Sequence, residues 1–170
     1  MILKVKPTLA EVAGLLSYCP ETGVLRWRTS PSNRIGAGAE AGTLHPDGYR
    51  IVRINGRGYP AHRLAWLLAT GEWPLQFLDH RNGVRNDNRL SNLRPASPGE
   101  NSQNLHGPLS SNRTSRFLGV CWKHKEQRWR AQIQVNGVRR DLGLYSTEEA
   151  ASRAYLAAKS ELHPFHHVAA

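Results

Sequence analysis

Four polar residues near the middle of the chain have types and spacings suited to chemistry. Asp79 and His80 are adjacent, Asn92 follows twelve residues after His80, and Asn101 nine residues after that. An imidazole titrates near working pH and can take a proton from water, which makes His80 the natural general base. The surrounding Asn, Asp and Gly residues are of the kind that usually make turns. A turn region accounts for Asn82-Gly83 and for Asn86-Asp87-Asn88. It does not account for Asp79-His80, Asn92 and Asn101 arriving together. On a strand, the period of two sends Asp79 and His80 to opposite sides.

The elements that must position these residues are legible on both sides of them. Leu75 to His80 reads as a short strand, Leu93 to Ser97 as a second, and Pro98 to Leu105 as a helix with proline in its first turn. Upstream, His62 to Thr70 reads as a helix with Leu64, Ala65, Leu67 and Leu68 on its apolar face, ended by Trp73-Pro74. Thr8 to Leu16 is a short helix capped by Thr8, with Glu11 three residues on and Leu9, Val12 and Leu16 on one face. Residues 20–28 form a turn entering a strand. Gly42 to Leu44 and Tyr49 to Ile54 are further strand runs, and Asp47-Gly48 and Asn55-Gly56 are hairpin turn signals. Gly107 to Ser115 is a polar, turn-rich linker. Beyond it, Phe117 to Trp122, Trp129 to Val135 and Val138 to Tyr145 are strand candidates, with Asn136-Gly137 as a tight turn. Ser146 or Thr147 then caps a helix to about Leu162, with Glu148 and Glu149 in its first turn, where the helix dipole favours anions.

Composition bounds the partners. The 170 residues carry a formal charge of +10, and neutralising phosphates with such a surface releases condensed counterions. Residues 1–60 hold +4, residues 61–112 only +1 and residues 113–170 +5, so the middle segment keeps the acids a metal site requires. The two cysteines, Cys19 and Cys121, form no C-x-x-C pair, which leaves no zinc knuckle and no disulfide framework and fits a reducing cytosol. Met1 to Pro7 is too short and charged for a signal peptide, and no apolar run approaches membrane-spanning length. The expectation is a soluble cytoplasmic protein without a membrane partner. His163, His166 and His167 lack a carboxylate or cysteine at ligand spacing and are read as an accident of the tail.

The run Phe77-Leu78-Asp79-His80-Arg81-Asn82-Gly83, then Asn88-Arg89-Leu90-Ser91-Asn92-Leu93, then Glu100-Asn101-Ser102-Gln103-Asn104, preceded by His62-Arg63-Leu64, resembles the HNH (His-Me finger) nucleases. The closest resemblance is to the subgroup common in phage and intron-encoded homing endonucleases. It implies a ββα-metal fold: a strand ending in the histidine, a loop, a second strand, and a helix carrying the last ligand. It further implies phosphodiester hydrolysis with Asp79 and Asn101 as metal ligands, His80 as base, and Asn92 holding the His80 ring through its side-chain carbonyl. One carboxylate and one amide oxygen suit Mg²⁺, or Mn²⁺, completed by water and phosphate. Asn101 stands where the family name has histidine, which argues against a tightly held transition metal. His62 is either part of the site or a satisfied core or surface histidine. Arg63 and Arg81 either contact phosphate or are solvated.

Residues 116–165 resemble the DNA-binding domain of the Apetala-two and ethylene-response-factor group. The matching residues are Phe117-x-Gly119-Val120, Trp129-x-Ala131-x-Ile133, Leu142-Gly143-x-Tyr145, Glu149-Ala150-Ala151 and Ala154-Tyr155. In that group a three-stranded sheet lies in the major groove. By period two, Arg128, Arg130, Gln132 and Gln134 alternate with Trp129, Ala131, Ile133 and Val135, which would pack on the helix. Arg116, Trp122, Lys123, Arg139 and Arg140 are assigned to the same polar side. Arg pairs with guanine and Gln with adenine, so this surface can specify sequence. Leu118 and Cys121 stand where the plant pattern usually has arginines, which puts its familiar target in doubt.

The expected whole is an α+β chain. Residues 1–60 form a basic αβ module, 61–106 the ββα-metal core, 107–115 a linker, and 116–165 a three-stranded antiparallel sheet packed on one helix. The expected function is a site-specific endonuclease acting on double-stranded DNA, serving homing or a restriction and defence role. A single such site nicks, so a monomer is expected unless both strands are cut, which calls for a dimer. The alternative is a DNA-binding regulator with an inactive nuclease site, against which the four intact residues argue.

Overall fold

The computed structural model describes residues 6–105 and 114–165. The chain falls into two compact units, residues 1–95 and 96–170. Most of the expected linker, and the calls on Met1 to Val5, His166 and His167, lie outside the described residues.

In the first unit, helix α1 (Leu9–Leu15) starts on a capping box. The Thr8 hydroxyl accepts the Glu11 amide at 3.3 Å, and the Glu11 carboxylate accepts the Thr8 amide at 2.7 Å, so two of the helix's orphan donors are satisfied reciprocally. Leu16, expected to end the helix, instead opens strand β1 (Leu16–Tyr18), which pairs antiparallel with β2 (Leu25–Trp27). A second sheet has the order β3 (Thr43–Leu44), β4 (Arg50–Ile54), β5 (Arg57–Pro60). Asn55 and Gly56, both at positive φ, close its β4–β5 hairpin, as the Asn-Gly signal requires. Helix α2 (Ala61–Thr70) follows and ends at Gly71 in the left-handed conformation. Val12, Leu16, Leu25, Trp27, Val52, Ile54, Leu64 and Leu67 bury together, so both sheets and both helices share one core. Strand β6 (Phe77–His80) begins two residues later than expected, leaving Leu75 fully exposed, and pairs with β7 (Leu93–Ala96). A 3₁₀ turn, Leu90–Asn92, leads into β7.

In the second unit, helix α3 (Pro98–Gln103) also opens on a capping box, formed by Ser97 and Glu100. Strands β8 (Val120–Lys123), β9 (Arg128–Val135) and β10 (Val138–Tyr145) make an antiparallel sheet of order β10-β9-β8, packed on helix α4 (Glu148–Leu162). Val120, Ala131 and Ala151 are the buried centre of that interface, with Phe117, Trp129, Leu142, Tyr145 and Ala154 around them. Gly119 has φ +72°, and a Cβ there would stand 2.1 Å from the Tyr155 ring and 2.8 Å from the Gln132 carbonyl. Only glycine fits this close approach of chain to helix. No described helix is long and apolar enough to cross a membrane.

Candidate active site

His80 closes β6 and Asp79 precedes it, and both are nearly fully buried. The loop after them is organised by its Asn and Asp side chains. The Asn82 amide nitrogen donates to the Asp87 carboxylate at 2.7 Å, and the Asn82 carbonyl oxygen accepts the Val84 amide at 2.9 Å. Asp87 also takes Arg89 Nε at 2.8 Å. The Arg89 hydrogen bond, opposed by modest burial, holds the Asp87 carboxyl below its ordinary range.

Asn92 was expected to hold the His80 ring. Its amide instead clasps the loop: Oδ1 accepts the Asn82 backbone N–H at 3.0 Å, and Nδ2 donates to the Asp87 carbonyl at 2.8 Å. The side chain facing the ring is Asn88, whose Oδ1 lies 3.3 Å from His80 Nε2. An amide oxygen can only accept, so this contact is a hydrogen bond in the tautomer that carries its proton on Nε2. Sequence reading passed over Asn88 because it lies in an Asn-Asp-Asn run that looks like turn chemistry.

Two further rings pack on His80. His62, from α2, meets His80 edge-on with centroids 5.1 Å apart and planes at 80°. Tyr49, from the turn before β4, lies 5.4 Å from His62 and 5.9 Å from His80. The Arg85 guanidinium sits over the Tyr49 ring at 5.2 Å. Of the two readings left open for His62, it is a buried side chain in ring contact with His80. Burial first, then the neighbouring His80 and Arg63 charges, push its pKa down to about 3, so it is neutral at working pH. Burial also lowers the His80 pKa, against the Asn88 hydrogen bond and the Asp79 charge, which raise it.

Asp79 is held by Arg94 from β7: Nε donates to Oδ2 at 2.8 Å and Nη2 lies 2.7 Å from the same oxygen. Arg63 reaches the carbonyls of Pro74 at 3.1 Å and Gln76 at 3.5 Å, tying down the approach to β6. Arg81 is exposed, its backbone N–H donating to the Asn92 carbonyl. Asn101 is exposed on α3 in the second unit. Among the described residues no group of three or more His, Cys, Asp or Glu gathers to hold a metal. Asp79 in the first unit offers a carboxylate oxygen and Asn101 in the second an amide oxygen, each a hard donor. Oxygen donors of this kind suit a cation that keeps water ligands, and not a tetrahedral nitrogen–sulfur site.

In the second unit the strand register sorts the basic residues by face, because directly opposed residues of an antiparallel pair share one. Lys123 opposes Arg128 and Arg139 opposes Gln134, so these four join Arg130 and Gln132 on the face away from α4. Trp122 opposes Trp129, with ring centroids 5.0 Å apart, and Arg140 opposes the buried Ile133. Trp122 and Arg140 therefore lie on the helix side of the sheet, which corrects their expected placement. Arg116 stands off the strands, paired with Glu149 at 2.8 Å beside the first turn of α4. Arg130 pairs with Asp141 at 2.6 Å across the outer face.

Comparison with known proteins bears on the middle of the chain. Residues 59–103 match the family model described as HNH endonuclease, a span that includes His62, Asp79, His80, Asn88, Asn92 and Asn101. Protein 3.8 of Escherichia phage T7 is 35% identical over 77 residues, which cover 45% of this chain and 62% of that protein's length. A solved structure described as DNA binding and cleavage by the HNH homing endonuclease I-HmuI aligns over 95% of this chain and 92% of its own, with 19% identity and a TM-score of 0.43.

Proposed function

We propose that this chain is a site-specific DNA endonuclease in which His80 activates water and the outer face of the C-terminal sheet places the cut. The observation that carries the reading is the setting of His80 within the HNH-type segment: buried at the end of β6, with Nε2 facing Asn88 and the His62 and Tyr49 rings packed on it.

In the mechanism that follows, His80 Nδ1 takes a proton from water as its oxygen attacks phosphorus, and the bond to the leaving oxygen breaks. Asp79 is the residue of the first unit that would hold Mg²⁺ or Mn²⁺, and Asn101 is the ligand the sequence resemblance implies in the second; the cation would supply neutralisation of charge on the scissile phosphate and the leaving oxygen. Arg94 holds the Asp79 carboxylate in one orientation, and Asn92 and Asp87 keep the loop after His80 in one shape. Lys123, Arg128, Arg130 and Arg139, with Gln132 and Gln134, form a basic face suited to phosphate and base contacts in double-stranded DNA, in the manner of an Apetala-two-type sheet. Arg81 and Arg116 are further candidates for phosphate contact. One site of this kind nicks one strand, so a double-strand break requires two copies or two successive cuts.

The test is cleavage of supercoiled DNA carrying the gene's native flanks, with Mg²⁺ or EDTA, by wild type and His80→Ala. Metal-dependent nicking or linearisation that the variant loses, by roughly a hundredfold or more, is the expected result. Protein that shifts this DNA on a gel yet never cuts it with Mg²⁺ or Mn²⁺ gives the lead to a DNA-binding regulator. Cutting that survives His80→Ala removes His80 from the role of base.

A further inference from the structure

The residue that aims the His80 ring is itself held from the far N-terminal end of the chain. Asn88 is almost completely buried, and its backbone carbonyl accepts the Tyr18 hydroxyl at 2.8 Å, a contact spanning seventy residues. Two more contacts from the β1–β2 hairpin reach the same turn. The Leu90 N–H donates to the Pro20 carbonyl at 3.1 Å. Gly23, at φ +75°, lies so close that a Cβ would stand 2.4 Å from the Arg89 nitrogen and 2.6 Å from the Asn88 carbonyl carbon. Tyr18 is half-buried, and burial raises its hydroxyl to about 12, so it remains a neutral donor.

These contacts have a common geometric effect. The hairpin fixes the Asn88 backbone at its carbonyl and from behind, while the Asn88 side chain, 3.3 Å from His80 Nε2, is the output. We infer that Tyr18 is a positioning residue for His80, acting through Asn88, and that the β1–β2 hairpin is a buttress of the active site. The inference rests on the nuclease reading for its kinetic consequence but not for its structural one. It gives residues 16–27 a task that neither their charge nor their local pattern suggests. The hydroxyl, and not the ring, carries the effect, because the ring packs against the hydrophobic core in either case.

The experiment compares wild type, Tyr18→Phe, Asn88→Ala and the double variant, with two readouts. In single-turnover cleavage, Tyr18→Phe is expected to lower the rate roughly tenfold, as loss of a supporting hydrogen bond does. DNA affinity should stay unchanged, and Tyr18→Phe should add little further loss in the Asn88→Ala background. Wild-type rates in Tyr18→Phe, or equal losses in both backgrounds, overturn the proposal. The second readout is the ¹⁵N signature of the His80 ring at a fixed, mildly alkaline pH. One dominant tautomer is expected in wild type and a mixture in Tyr18→Phe, and an unchanged signature overturns the proposal. Because this spectrum needs no cleavage, a chain that fails to cut DNA would refute the nuclease reading while leaving the positioning role decidable. Should Tyr18→Phe not fold, the wild-type protein still gives an answer. A slowly exchanging Tyr18 hydroxyl proton close to Asn88 is required there, and its absence overturns the proposal.

Discussion

Arg94 directs both Nε and Nη2 at a single oxygen, Oδ2 of Asp79, at 2.8 and 2.7 Å, and the two side chains are only 13% and 7% exposed. A guanidinium normally spreads two donors over two carboxylate oxygens. Converging on one oxygen, Arg94 turns the Asp79 carboxylate in a defined direction. Sequence reading identified Asp79 and passed over Arg94, which lies two residues past Asn92.

Removing the guanidinium takes two charge-assisted contacts from a buried carboxylate. Arg94→Ala is therefore expected to lower unfolding stability by about 3 kcal/mol. Urea or guanidinium unfolding of the whole chain measures it. An unchanged midpoint would mean that Asp79 is satisfied without the guanidinium.

On the proposed mechanism, the burial of His80 sets the direction of a pH effect on rate. Burial lowers its pKa below the ordinary imidazole value of 6.5, so the deprotonated base persists into more acidic solution. The acid limb of kcat/KM, which reports the free enzyme, is expected to fall below pH 6.5. The Asn88 hydrogen bond raises the His80 pKa, so Asn88→Ala should move the limb to still lower pH. A limb above 6.5 would mean that the site gains a charge favouring imidazolium.

His62 gives a separate prediction for stability. Its folded pKa of about 3 lies below the 6.5 of an unperturbed imidazole, so below pH 6.5 the unfolded chain binds the extra proton. Stability contributed by neutral His62 is complete above 6.5 and is lost as pH falls through the window down to about 3, by at most about 1.4 kcal/mol per pH unit. Unfolding free energies at pH 7, 6 and 5, above the range where carboxylates titrate, measure the slope. His62→Phe keeps a ring against His80 and Tyr49 but cannot titrate, so it should flatten that slope, leaving the share due to His80.

How much of this was legible follows from the range of each interaction. Asp79 and His80 stand out as adjacent types on a strand, and the Thr8–Glu11 box and the Asn55-Gly56 turn are local patterns that the structure keeps. Tyr18, Gly23 and Tyr49 reach Asn88 and His80 from sequence positions far upstream, where no local periodicity points to them. Asn88 was hidden by its own composition, since an Asn in an Asn-Asp-Asn run satisfies turn chemistry as readily as it satisfies an imidazole. The C-terminal sheet shows a different failure, one of phase. Counting β8 from Phe117 ignores the turn at Gly119, and the strand begins at Val120. Placing Arg139 and Arg140 on one face contradicts the alternation that assigned Arg128 and Arg130.

That phase yields a DNA-binding prediction. Arg128, Lys123 and Arg139 share the face away from α4, whereas Arg140 shares the face of Ile133. If the outer face meets the phosphates, Arg128→Ala should weaken DNA binding and reduce the slope of log K against log salt by about one. Arg140→Ala, with the same formal charge change, should alter the slope less. Arg130 is exposed to a competing carboxylate at 2.6 Å, so Asp141→Asn should tighten binding by freeing its guanidinium for phosphate. Equilibrium titrations at four or five salt concentrations measure all three. Equal slopes for Arg128→Ala and Arg140→Ala would mean that binding follows net charge and not the face the strand register defines.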